Sequence, residues 1–146
     1  MTEFNLRELK LENYPLKAFD KVRFSDTDKH RHAKNAAFAT FCETGRTYIL
    51  FNPNFPVAAE GCTFVIANIN LNLISEINWP GKVDIGTGIL KINNSSVYLV
   101  QSLFQNDKLC ATSETVLVHV TGSPAKSLPI PDASKELLSK YLLKSE

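Results

Sequence analysis

At 146 residues and 44% apolar side chains, the chain has the size of one domain, 1–146, with a hydrophobic core that needs no staples. A formal net charge of +1 argues against a dedicated nucleic-acid binder or a polybasic membrane-surface protein. No apolar run reaches bilayer length and the polar start MTEFNLRELK is not a signal peptide, so no membrane insertion is expected. The scattered cysteines Cys42, Cys62 and Cys110 sit in apolar surroundings and read as reduced core thiols of a cytoplasmic protein, without a disulfide framework or zinc site.

In chain order, Asn5 to Tyr14 is short and charged, either a loose lead-in or half a turn of helix, and Pro15 ends it. Lys17 to Phe24 alternates and predicts a first strand. Asp26, Asp28, His30 and His32 then crowd into a polar turn. From Ala36, the residues Ala37, Phe38, Phe41, Cys42, Gly45, Tyr48 and Ile49 recur at three- and four-residue steps, which predicts an amphipathic helix to Phe51. It would be about 16 residues and roughly 24 Å long. Pro53, Pro56 and Gly61 punctuate a loop over Asn52 to Glu60.

The second half is strand-rich. Phe64 to Ile77 alternates, with Val65, Ala67, Ile69, Leu71 and Leu73 on one side and Asn68, Asn70 and Asn72 on the other. A Trp79-Pro80-Gly81-Lys82 turn leads to Val83–Ile92, where Gly86 and Gly88 suggest a bend or a close approach. Asn93-Asn94-Ser95 and Asn106-Asp107-Lys108 are hairpin signals around the strands Val97–Phe104 and Leu109–Val120. After the linker Gly122–Pro131, Asp132 can cap a terminal helix over about 132–144. Strand, long helix, four-strand meander and small helix make an α+β protein: a curved antiparallel sheet wrapped around one long helix, with one face needing cover.

Arg23-x-x-Asp26-Thr27-Asp28, then His32, Asn35 and Phe38, then Phe41-x-Glu43-x-x-Arg46, resembles the signature of hotdog-fold acyl-CoA thioesterases, in the 4-hydroxybenzoyl-CoA thioesterase-like branch. The resemblance covers about residues 17 to 122, with its distinctive motifs between 23 and 46. It implies the hotdog fold, hydrolysis of an acyl thioester to free acid and thiol, and no cofactor beyond the CoA carried by the substrate. It also implies a homodimer joined edge to edge, often paired again into a homotetramer, with active sites at the subunit boundary.

By the same resemblance, Asp28 is the catalytic carboxylate, acting as nucleophile or as base toward water, and a partly desolvated carboxylate near a helix start suits either role. The Asn35 backbone N–H would hold the thioester oxygen at the helix N-terminus. His32 either shapes or protonates the site or is a satisfied structural histidine. Glu43 either pairs with Arg46 one helical turn away or orders a water. Asp26 is expected to hydrogen-bond local backbone. Arg31 stands where relatives usually have glycine, and Lys34 where they commonly have asparagine. A bulky cation in this turn either blocks the pocket or binds substrate as an anchor for an anionic acyl group or a CoA phosphate, and Arg31 and Lys34 are assigned to substrate binding with Phe38 as the motif's aromatic. Asn93, Asn94 and Ser95 are neutral where some relatives are basic, which leaves an acyl carrier protein as the alternative to acyl-CoA.

Two other classes compete. Asp26-x-Asp28-x-His30-x-His32 would present metal ligands one way on an extended strand, but His119 is the only other histidine, and no metal is assigned. The second is a non-catalytic hotdog protein that binds acyl thioesters or serves as an assembly module.

Overall fold

The computed structural model describes residues 5–54 and 56–144; Phe55, within the expected 52–60 loop, lies outside them. The elements are β1 (Leu16–Lys21), α1 (Asn35–Leu50), β2 (Cys62–Leu73), β3 (Lys82–Ile92), β4 (Ser96–Gln105), β5 (Lys108–Thr121), β6 (Lys126–Ser127) and α2 (Asp132–Ser139). One antiparallel sheet runs β1-β3-β4-β5-β2, with β6 extending β5 past the start of β4. The sheet curls around α1, the expected architecture.

α1 buries Ala37, Phe38, Phe41, Cys42, Gly45, Ile49 and Leu50 against it. Toward its start the helix packs with Val22, Ile77, Val83, Ile85, Leu103 and Ala111; toward its end with Phe64, Ile89, Val97, Leu99 and Leu117. Between these apolar halves runs a polar seam. Gln101 Nε2–H donates to the Cys42 carbonyl at 2.9 Å and to Thr87 Oγ1 at 3.0 Å, and Arg46 Nη1–H reaches Gln101 Oε1 at 3.5 Å. Helical spacing assigned Tyr48 to the buried stripe; it is half exposed, and Arg46 turns inward in its place.

Three further departures have physical causes. The pairing of β2 with β5 slips between Ile66 and Asn68, so Ala67 is a bulge. Phe64 and Ile66, opposite His119 and Leu117, therefore share the concave face with Ile69, Leu71 and Leu73, and Val65 goes to the other side. Next, the sheet is covered on its convex face as well. Short 3-10 turns at Leu6–Glu8 and Leu11–Asn13 lay Leu6, Leu9, Leu11 and Tyr14 over Val100 and Phe104. Tyr14 hydrogen-bonds Ser102 there, packs where Gly86 has no side chain, and burial pushes its phenol up to about 12. The close approach at Gly86 and Gly88 is thus made by Tyr14, Pro15 and Leu143. Finally, α2 stops at Ser139 and its N-cap is Pro131, with Asp132 already inside the helix. Beyond it the tail turns back to β3, where Ile89 N–H donates to the Tyr141 carbonyl at 2.7 Å and Leu143 N–H to the Ile89 carbonyl at 2.9 Å. Those backbone groups lie past the end of β1 pairing and are satisfied by the tail.

No described helix is long and apolar enough to cross a membrane.

Candidate active site

The site grows from the segment between β1 and α1. The expected first strand stops at Lys21 because the chain enters a 3-10 turn, Phe24–Asp26. Arg23 N–H donates to Asp26 Oδ2 at 2.8 Å and Asp26 N–H returns to the Arg23 carbonyl at 2.8 Å. Asp26 is therefore a local backbone acceptor.

From Thr27 to Ala33 the chain doubles back, with these two residues paired as an antiparallel bridge. Asp28 N–H donates to the His32 carbonyl at 3.0 Å, and Arg31 N–H to the Asp28 carbonyl at 2.9 Å. The reversal puts Arg31 in the left-handed region at φ +65°, the conformation glycine adopts without a Cβ penalty. Its guanidinium lies 5.7 Å from the centre of the Trp79 ring, which meets Phe24 edge-on at 5.0 Å. Trp79 N–H donates to the Arg31 carbonyl at 3.0 Å, and Ala33 N–H to the Ile77 carbonyl at 2.8 Å, so residues 77–79 hold the turn in place. The acidic and imidazole side chains are thus set on turns and not on an extended strand. The His30 and His32 rings are 6.2 Å apart, and no group of three or more His, Cys, Asp or Glu among the described residues is placed to hold a metal.

Asp28 Oδ1 accepts the N–H of His30 at 2.8 Å and that of His32 at 3.3 Å. The His30 amide above all, then the His32 amide and the two imidazoles, hold this carboxyl below its ordinary range. Partial desolvation was expected of it; within the chain the residue is exposed, and the hydrogen bonds and imidazoles outweigh the opposing effect of desolvation.

Lys34 is the N-cap of α1, and its side chain has no oxygen with which to accept from the first turn. Its own N–H donates to the Asp26 carbonyl at 2.8 Å. The next amide, Asn35 N–H, has no acceptor among the described residues and points from the positive end of a 16-residue helix. An asparagine at position 34 would have competed for these donors.

Beside this helix start is an open cleft of ≈280 Å³ lined by His32, Asn35, Phe38, Leu73, Ser75 and Glu76 among others. Three residues singled out in the sequence, His32, Asn35 and Phe38, meet here. Phe38 is mostly core, with 4% of its surface exposed. Asp28, Arg31, Lys34 and Glu43 do not line the cleft within one chain. Ser75 and Glu76 escaped the sequence reading because the alternation of β2 was carried through them to Ile77, whereas the strand ends at Leu73. Glu76 Oε2 lies 3.2 Å from His32 Nε2. Ile74, Ser75 and Glu76 are also one wall of a larger polar groove of ≈570 Å³ reaching Asn78, Gln105 and Lys108.

The expected Glu43–Arg46 ion pair does not form. Glu43 is exposed; Arg46 is 6% exposed, and burial lowers its proton affinity against the opposing effects of Cys42 and Glu43. Among the described residues neither charge belongs to a salt bridge.

Replacing Arg31 by glycine relieves a left-handed side-chain conformation worth about 1–2 kcal/mol. It also removes an exposed cation–π contact of about 0.5–1 kcal/mol and adds a comparable entropy to the unfolded chain. Arg31→Gly is therefore expected to unfold within about 1 kcal/mol of the wild type, whereas Arg31→Val keeps the strain and loses the contact. Denaturant titration of both variants checks this; a Gly variant less stable than the Val variant would contradict it.

An antiparallel sheet curled around one long helix is the hotdog architecture. The chain belongs to the thioesterase-like superfamily, whose sequence model matches residues 22–138. A predicted thioesterase from Bacillus stearothermophilus is similar in structure, with a TM-score of 0.79, 25% identity, and 89% of this chain and 98% of that one covered. A thioesterase from Thermus thermophilus, complexed with coenzyme A and zinc, shares the fold with a TM-score of 0.74 and 24% identity, over 87% of this chain and 94% of its own. So does the probable thioesterase YbaW from Escherichia coli, with a TM-score of 0.71 and 22% identity, over 88% and 98% of the two chains. Among curated proteins, none matches the chain.

Proposed function

We propose that the chain hydrolyses an acyl-CoA thioester to free acid and thiol. The observation that carries this reading is the unpaired N–H of Asn35 at the start of α1, a residue that lines the cleft together with His32 and Glu76. A donor so placed stabilises the oxyanion that develops when the carbonyl is attacked, by about 3 kcal/mol. Asp28, ionised and within the same turn, supplies the attacking oxygen or takes the proton of the attacking water; the thiolate leaves. His32 orients toward Glu76 and is the nearest imidazole to the cleft. Phe38 and Leu73 give the acyl group an apolar wall. Coenzyme A in the Thermus relative supports CoA as the carrier, with acyl carrier protein as its alternative.

Because Asp28 stands outside the cleft of its own chain, the catalytic reading takes a homodimer in which the second copy completes the site. The long, unpaired outer edge of β2 supports that assembly. One observation favours the non-catalytic alternative: both amides on Asp28 Oδ1 are those of an ordinary Asx turn.

The test is a thiol-release screen over short, medium, long and aromatic acyl-CoAs, each also offered on acyl carrier protein. Turnover at 1 s⁻¹ or above on at least one is the expected order of magnitude, roughly the low end of common enzymes. No release from any thioester, with binding retained, makes the protein an acyl-thioester binder.

A further inference from the structure

α1 carries two charges without a counter-charge among the described residues: Arg46, buried, and Glu43, exposed, one turn before it. Their direction follows from their neighbours. Thr44 Oγ1–H donates to Asp20 Oδ2 at 3.3 Å, which turns that flank of the helix to β1. Gly45 sits against Ile85, Thr87 and Gln101 of β3 and β4. At about 100° per residue, Arg46 lies round from Gly45 on the side away from Thr44, toward β5 and β2, and Glu43 about 60° further out.

On that side the sheet ends in an open edge. Ile66, Ile69 and Leu73 of β2 share the concave face and remain 48%, 43% and 45% exposed, uncovered by α1. The convex face, by contrast, is already partly covered by residues 6–14 of the same chain.

We propose that a second copy of this chain covers this flank in a two-fold interface where Arg46 of each copy pairs with Glu43 of the other. The inference rests on the dimeric reading above and adds the residues that specify it. A two-fold axis makes a surface bearing one Arg and one Glu self-complementary, since each charge meets the other's opposite. Both lie in the second half of the Asn35–Leu50 helix near its midpoint, so two α1 helices crossing antiparallel bring the pairs together. A buried guanidinium held only by a 3.5 Å contact to Gln101 keeps most of its donors for such a partner. Ile66, Ile69 and Leu73 supply the apolar cover around the pairs.

Sedimentation velocity at micromolar concentration tests this with Glu43→Arg and Arg46→Glu variants. Each alone faces two like-charge pairs and is expected to be monomeric. Mixed in equal amounts they form a heterodimer in which both pairs are opposite in sign, so dimer returns; an intrachain pair would stay broken in both chains and mixing would restore nothing. Should Arg46→Glu not fold, Glu43→Gln is the second arm, altering only an exposed side chain. Its dimer Kd is expected to rise about tenfold per lost pair, a hundredfold for two. An unchanged Kd, or a mixture that stays monomeric while the wild type is dimeric, overturns the pairing. A monomeric wild type overturns the dimeric reading beneath it.

Discussion

Asp28→Asn is expected to lower thiol release by about a hundredfold or more, the range lost with a general base or nucleophile. The substitution is close to isosteric, and its amide oxygen still accepts the N–H groups of His30 and His32, so the turn and the start of α1 stay in place. What disappears is the negative charge. Asp26→Asn is the control. Its Oδ2 accepts the Arg23 amide and lies 3.5 Å from Arg23 Nε, so its loss weakens the 3-10 turn without removing the reacting group. Steady-state kinetics with thermal melts of both variants decides: an Asp26 variant that is folded yet less active than the Asp28 variant would exchange the two roles.

The same geometry sets the pH dependence. The folded-state pKa of Asp28 is lowered, so the carboxylate remains ionised through and below the ordinary carboxylate range near pH 4. Protonation silences it only as pH falls past that depressed value. Thiol release between about pH 5 and 8 should therefore show no acid limb from Asp28; one centred near pH 6 would point instead to an imidazole, or to a carboxyl raised by burial or a like charge, as the base.

Gly45→Val is expected to destabilise the fold by about 3 kcal/mol, the upper end for overpacking, and to lower Tm by roughly 10 °C. A Cβ at Gly45 would lie 2.6 Å from Ile85 Cγ2, 2.7 Å from Gln101 Nε2 and 2.9 Å from Thr87 Oγ1. None is a free side-chain end: Ile85 is in the core and Gln101 is tied to Cys42 and Thr87. The helix must rise from the sheet, and the polar seam around Arg46 opens with it. Because α1 carries the Asn35 amide, activity should fall alongside stability. Calorimetry that returns a wild-type Tm would mean that the helix does not pack on β3 and β4 through this glycine.

Much of this molecule is local in origin. The three- and four-residue steps from Ala37 to Ile49 and the two-residue alternation of the meander depend only on how Cα–Cβ vectors repeat along a helix or strand. Turns rich in Asn, Asp, Pro and Gly divide them for equally local reasons. That is why helix, strand order and the curled α+β architecture were legible, whereas the interest of Asp26-Thr27-Asp28 through Arg46 came from resemblance to a family motif and not from periodicity.

What the chain could not reveal by itself depends on partners remote in sequence. The bulge at Ala67 is set by pairing with Val116 to Val118 and reverses which residues of β2 face α1. The cover on the convex face exists because Gly86 leaves room for Tyr14, a contact between residues far apart in the chain. Glu76 meets His32 because a backbone bridge joins the turn to Asn78, and Arg31 is left-handed because that same turn must close. Arg46 lies inward beside Gln101, away from a glutamate one turn off, because packing of Gly45 on β3 and β4 sets which flank of α1 is buried and an exposed ion pair contributes too little to draw it out. Periodicity determined which elements form and in what order. Tertiary packing decided which flank of α1 is buried, which residues share the cleft and which charges of α1 stay without a counter-charge among the described residues, because those outcomes are set by steric fit and hydrogen-bond closure between elements and not within them.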